Sequence, residues 1–100
     1  MKGVVLMATY IMYGTYSGDS FDGMGSQRTQ SVVEKIKTFG GEVHGMYALL
    51  GQDDLLFIVE FPSTAAAMKA SVSIQKATGI SFTTSPAVTV EEFDNLVADL

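Results

Sequence analysis

The sequence contains no cysteine. That excludes disulfide staples, thiolate nucleophiles and cysteine-ligated metal sites. It is compatible with a reducing cytoplasm, and a cytoplasmic setting is the expectation. Histidine occurs once, at position 44. A site built from several histidines of one chain is therefore excluded, and no metal site is expected. Basic residues number six against eleven acidic ones, for a net charge of −5. That balance repels a phosphate backbone. The few basic residues are also scattered, which speaks against an anionic membrane surface. Neither nucleic acid nor membrane is expected as a partner. No apolar run approaches the roughly 20 residues that span a bilayer. The segment Met1–Met7 faintly imitates a signal peptide, but its apolar stretch is short and lacks a small-residue cleavage site. Residues 1–7 are read as an N-terminal extension, ahead of one domain over residues 8–100.

Charge is sparse throughout, at 17% of residues, while 47% are apolar. Globular domains average about 25% charged. A chain of 100 residues buries only roughly 60–68% of the surface its unfolded form exposes. So small and apolar a domain has difficulty hiding its hydrophobic side chains alone. This is a first pointer to oligomerisation.

Residues 8–16 are rich in β-branched and aromatic types and carry no charge, so they read as a strand. A Gly- and Ser-rich stretch, 17–25, follows as the longest irregular loop, the one expected to be mobile. Residues 26–39 read as a helix with Val32, Val33, Ile36 and Phe39 on one face. Gly40 and Gly41 stop it. Residues 42–50 form a second strand, with Val43, Gly45, Tyr47 and Leu49 alternating with His44, Met46, Ala48 and Leu50. A turn at 51–54 leads to a third strand, 55–61, and the two make a hairpin. Pro62 ends it, and Ser63 is the N-cap of a second helix with Ala66, Ala67, Ala70, Ile74 and Ala77 on one face. Gly79 closes that helix, residues 80–85 form a fourth strand, and Thr89–Glu92 is a capping box opening a short C-terminal helix.

The order β-α-β-β-α-β plus a terminal helix is the ferredoxin-like pattern. The fold class is thus α+β, with a four-stranded antiparallel sheet whose first and third strands are central. The third strand is the informative one. Leu55, Phe57, Val59 and Phe61 make one face, and Leu56 and Ile58 the other. An antiparallel sheet with one wet face alternates apolar with polar; here both faces are dry. Two helices cover one face only. The simplest cover for the other is the same sheet of a second subunit, giving a homodimer, a dimeric α+β barrel, or a higher even oligomer.

From Met7 onward the pattern resembles the GYD-domain family of the dimeric α+β barrel group. The resemblance rests on the opening strand Met7–Ile11, on Arg28, on the pair Gly40–Gly41 and on the turn Leu50–Leu55, with Asp54 in the family's aspartate place. It rests further on Ile58–Pro62, on Thr84 and Ala87, and on Glu91, Glu92 and Phe93. Asp53 stands where the hallmark tyrosine would be, Phe82 where a polar residue is common, and Pro86 at an often basic place. The family is largely without an assigned activity, so the resemblance implies the fold and not a reaction.

Several residues are candidates for chemistry. His44 is a possible general base, the use to which related monooxygenase and cyclase barrels put histidine; the plainer reading, a surface histidine, is preferred. Glu60 interrupts an apolar strand. It reads as an acid or base of raised pKa or, by preference, as a structural ion-pair partner, with Arg28 as one candidate. Asp53 and Asp54 read as turn residues rather than a cation site. Tyr10, Tyr13, Tyr16 and Tyr47 line a pocket for a planar ligand or, by preference, pack in the core or an interface. Gly14 and Gly45, inside strands, mark a bulge or a close approach.

The leading functional expectation is binding of a small molecule in a pocket between sheet and helices, near Tyr10, His44, Tyr47 and Glu60. Tyr10, Arg28, Tyr47 and Asp54 are the candidate ligand contacts, and no cofactor is expected. The competing class is a cofactor-independent monooxygenase or isomerase with His44 or Glu60 as base. A third is an oligomeric interaction module. Fold analogy does not choose among them.

Overall fold

The computed structural model describes residues 6–18 and 25–100. Most of the expected N-terminal extension and most of the Gly- and Ser-rich loop lie outside the described residues. The elements are β1 (Ala8–Thr15), α1 (Ser26–Thr38), β2 (Glu42–Ala48), β3 (Leu55–Phe61), α2 (Thr64–Thr78), β4 (Ser81–Ala87) and α3 (Val90–Val97). The sheet order is β2-β3-β1-β4, antiparallel at every pairing. The fold is α+β and ferredoxin-like, with β1 and β3 central.

Both central strands split cleanly by side. Tyr10 and Met12 of β1, and Phe57, Val59 and Phe61 of β3, are buried under the helices. The helices contribute Val32 and Ile36 from α1, and Ala67, Ala70 and Ile74 from α2. The small alanines let α2 approach the sheet closely; Ala77, expected on the same face, is exposed. Tyr10 meets Phe61 edge to face, with ring centroids 6.0 Å apart. On the opposite side Ile11, Tyr13, Leu56 and Ile58 are only half-buried. No described helix covers them.

Strand ends differ from expectation for identifiable reasons. β1 stops at Thr15 rather than Tyr16 because the Tyr16 N–H donates to the Asp54 carboxylate (2.8 Å) instead of to a ladder. β4 continues through Pro86 to Ala87, past the expected end at Ser85. An edge strand tolerates proline because one side of its backbone has no partner strand to serve. β2 ends at Ala48, two residues early. It also carries an irregularity between Val43 and Gly45. Strict alternation would place Val43, Gly45 and Tyr47 on one face. The bulge instead sets Met46 opposite Phe57, on the core side with Val43, and puts Gly45 and Tyr47 opposite Ile58 and Leu56.

The two glycines that end α1 divide the work. Gly40 has φ 81°, the left-handed conformation that suits a glycine. Gly41 then donates its N–H to the Ile36 carbonyl at 2.9 Å, closing the helix end. Gly41 also lets the chain pass close to the core. A Cβ there would lie 2.5 Å from Phe61 Cε1 and 2.7 Å from Ile36 Cγ2. Both side chains are fully buried, so neither can swing away freely. Gly41→Ala is expected to destabilise the fold by about 1–3 kcal/mol, the usual cost of overpacking. Urea denaturation followed by circular dichroism reads this directly, and an unchanged midpoint would contradict it.

Candidate functional site

Three arrangements of polar and aromatic side chains stand out among the described residues, and they do not converge. The first is a cavity of about 300 Å³ between α1 and the β2–β3 side of the sheet. Its walls are apolar: Val32 from α1, Met46 from β2, Leu55 and Phe57 from β3, and Ile80. Arg28 and Tyr16 add polar groups, and Tyr47 borders the cavity from β2. The Arg28 guanidinium carbon lies 5.5 Å from the centre of the Tyr16 ring, within reach of the ring quadrupole.

Asp54 anchors the Tyr16 member of that pair. Its carboxylate accepts from the Tyr16 N–H, its own N–H donates to the Gly14 carbonyl, and its carbonyl accepts from the Leu49 N–H, each at 2.8 Å. One residue thus ties the β2–β3 turn to the end of β1. The role is structural: Asp54 fixes where Tyr16 stands. Gly14, at the same place, is crowded by Phe82, Leu55 and Ile80. It marks a close approach, whereas Gly45 adjoins the bulge.

The second arrangement is a groove of about 270 Å³ between α2 and β4. Tyr10 lines it, with its hydroxyl 3.0 Å from Thr64 Oγ1. The third lies on the open face of the sheet. His44 Nε2 is 2.9 Å from Glu60 Oε1, so the ion-pair partner of Glu60 is His44 and not Arg28. Glu42 stands directly across from Glu60 in the β2–β3 register. The donor atoms of Glu42, His44 and Glu60 lie within 4.8 Å of one another.

The expected pocket near Tyr10, His44, Tyr47 and Glu60 therefore divides. Tyr10 faces the helices, while His44 and Glu60 share the other face. Arg28 lines the first cavity and Tyr47 borders it at the β2 edge, with the Tyr47 ring lying beside Gly45 on the open face. Asp54 holds the Tyr16 backbone next to the cavity. Of the four tyrosines, Tyr16 and Tyr47 line that cavity. A carboxylate beside an imidazole can orient it for proton transfer. His44 is exposed, however, and neither it nor Glu60 is among the residues lining this cavity or the α2–β4 groove.

A model of the GYD domain matches residues 10–97. The chain belongs to the GYD domain family. No curated protein matches it significantly. Among solved structures, the fold is similar to the Mycobacterium tuberculosis leucine response regulatory protein, at 14% identity and a TM-score of 0.60, covering 83% of this chain and 51% of that one. A second similar structure, a transcriptional regulator, has 13% identity and a TM-score of 0.63 over 83% of this chain and 51% of its own. A third, MtbAldR, has 16% identity and a TM-score of 0.60 over 89% of this chain and 58% of its own. This GYD domain thus spans little more than half the length of those structures. At such identities the likeness is one of fold. Among the described residues, no helix is long and apolar enough to cross a membrane.

Two features escaped sequence reasoning. Met46 enters the cavity wall only because of the bulge. Glu42 joins His44 and Glu60 only through the hairpin register, which pairs it with Glu60. The clamp role of Asp54 is testable. Asp54→Ala is expected to cost about 1–3 kcal/mol, because a charge-assisted bond to the Tyr16 N–H is lost. Asp54→Asn keeps an acceptor and should recover most of that. Equal losses in the two variants, measured by denaturant titration, would show that the hydrogen bond is not what matters.

Proposed function

We propose that this GYD domain binds a small organic acid in the cavity between α1 and the sheet, within a homo-oligomer. The observation that carries the reading is the composition of that cavity. Apolar walls from five side chains end at Arg28 and Tyr16. Pockets for small molecules have this make-up: an apolar body with a few polar groups that fix orientation. A volume of about 300 Å³ is at the small end of such sites. An arginine at the mouth favours an anionic group such as a carboxylate. Arg28 and, from the rim, Tyr47 are the proposed ligand contacts, with Asp54 holding Tyr16 in place beside Arg28. The named role of one structural neighbour in leucine response places branched amino acids among the acids to be tried.

Self-association is the second part of the reading. Ile11, Tyr13, Leu56 and Ile58 form an apolar stripe on the open side of the two central strands. A second copy of the same face would cover it, and such isologous packing is the common solution. The setting is read as cytoplasmic, with which the lack of cysteine is compatible. The enzyme alternative would put His44 and Glu60 to work as an acid–base pair. It has the 2.9 Å contact in its favour but no concave site around that contact.

Thermal denaturation with a panel of small carboxylic acids, branched amino acids included, tests the binding. A true ligand at a hundredfold excess over its Kd should add about 2.7 kcal/mol of stability. Thr29→Trp, which fills the cavity from its rim, should abolish the shift and leave the unliganded Tm nearly unchanged. If no acid shifts the wild type, or if the shift survives Thr29→Trp, the cavity is not the site. Sedimentation velocity tests the assembly: the wild type should be an even-numbered oligomer, and Ile58→Glu a monomer. A monomeric wild type would remove this part of the reading.

A further inference from the structure

We propose that Glu42, His44 and Glu60 form a binding site for a divalent transition-metal ion on the open face of the sheet, at its β2 edge. The site is independent of the α1 cavity, since it lies on the other side of the sheet and shares no residue with that cavity.

Three observations converge on it. First, the donors are held by backbone rather than by chance. Glu42 and Glu60 are directly opposed in the antiparallel register of β2 and β3. His44 follows two residues after Glu42, so strand alternation returns it to the same face. Second, the bulge concentrates the set. In an uninterrupted ladder His44 would stand opposite a residue one step from Val59, at Ile58. The register shift gives Ile58 to Gly45 instead. His44 is left as the extra residue, re-aimed toward Glu60, which its Nε2 meets at 2.9 Å. Third, the arrangement is costly without a cation. Like charges directly opposed across strands destabilise a sheet, and here the two carboxylates share one neutralising partner, an imidazole that is charged only when protonated. A bound dication would remove the repulsion.

The donor set selects the class of ion. Two carboxylate oxygens and one imidazole nitrogen suit zinc, manganese or iron(II) better than magnesium or calcium, which prefer oxygen alone. Ligand atoms about 2.0–2.2 Å from a common ion lie roughly 3–3.5 Å apart. The present spread, within 4.8 Å, closes by rotation of exposed side chains. In the single chain His44 and Glu60 keep 47% and 30% of their side-chain surface exposed, so water can fill the remaining coordination positions. All three donors come from one chain, and the site does not depend on self-association.

Isothermal titration of the full chain, first dialysed against a chelator, with zinc chloride is the test. One saturable site per chain is expected, with a Kd on the order of micromolar. His44→Ala and Glu60→Gln should each weaken it by at least about tenfold, and Glu42→Gln by a similar factor. Glu34→Gln, a change to an exposed glutamate on α1, should leave it intact. Because the three ligands are on the surface, the variants should fold; far-ultraviolet circular dichroism checks this. Manganese(II) gives a second readout that does not depend on heats. It should broaden the amide resonances of Val43, His44 and Glu60 selectively in the wild type and not in His44→Ala. The proposal fails if zinc shows no saturable binding, if binding is unchanged in both His44→Ala and Glu60→Gln, or if manganese broadening lies elsewhere. Each of these failures would leave the carboxylic-acid cavity untouched, since its readout uses different residues and no metal.

Discussion

The antiparallel pairing of β1 with β3 is the constraint on which the rest of the molecule depends. It joins residues 8–14 to residues 55–61 and so closes a long loop of chain at substantial entropic cost. Burial of Tyr10, Met12, Phe57, Val59 and Phe61 on one side of that pair offsets the cost. Everything else is attached to it. β2 hangs on β3 through a hairpin, and β4 hangs on β1. The two helices roof the face that the pair makes apolar. The Asp54 clamp locks one end of the same pair, joining the turn after β2 to Gly14 and Tyr16 at the end of β1. The cavity beside Arg28 lies at that fixed end, between α1 and the strands.

Much of this was legible in the residues. The apolar run Leu55–Phe61 announced a central strand, the glycine pair announced the end of α1, and Ser63 announced the start of α2, where its Oγ does accept from the Ala66 N–H. Those signals are local, and local chemistry decides them. The site was less legible because it depends on side. Tyr10 and Glu60 sit in neighbouring strands and look close in a topology diagram. Alternation puts them on opposite faces, a fact that follows from register: Tyr10 pairs with Val59, not with Glu60. The ion-pair partner of Glu60 turned on the same point. Arg28 stands on the helix side and His44 on the other.

The bulge was the least accessible feature. Gly45 hinted at it, but a glycine inside a strand announces an irregularity without giving its sense. Once the extra residue is placed, two consequences follow together. Met46 turns inward and becomes cavity wall. His44 is drawn back toward Glu60. A single inserted residue thus shapes both faces of the hairpin, one apolar and one charged.

The short helix α3 has a different kind of consequence. Its start is well made, with Thr89 Oγ1 accepting from the Glu92 N–H at 3.0 Å. Yet it buries none of its residues, and Val90, Phe93 and Leu96 remain largely exposed. Eight residues are too few to hold a helix in water by propensity alone. Four acidic side chains, Glu91, Glu92, Asp94 and Asp99, run along the same segment without a basic residue among them. The C-terminal end of the domain thus carries an apolar, acid-flanked helix side that no other part of the described chain covers.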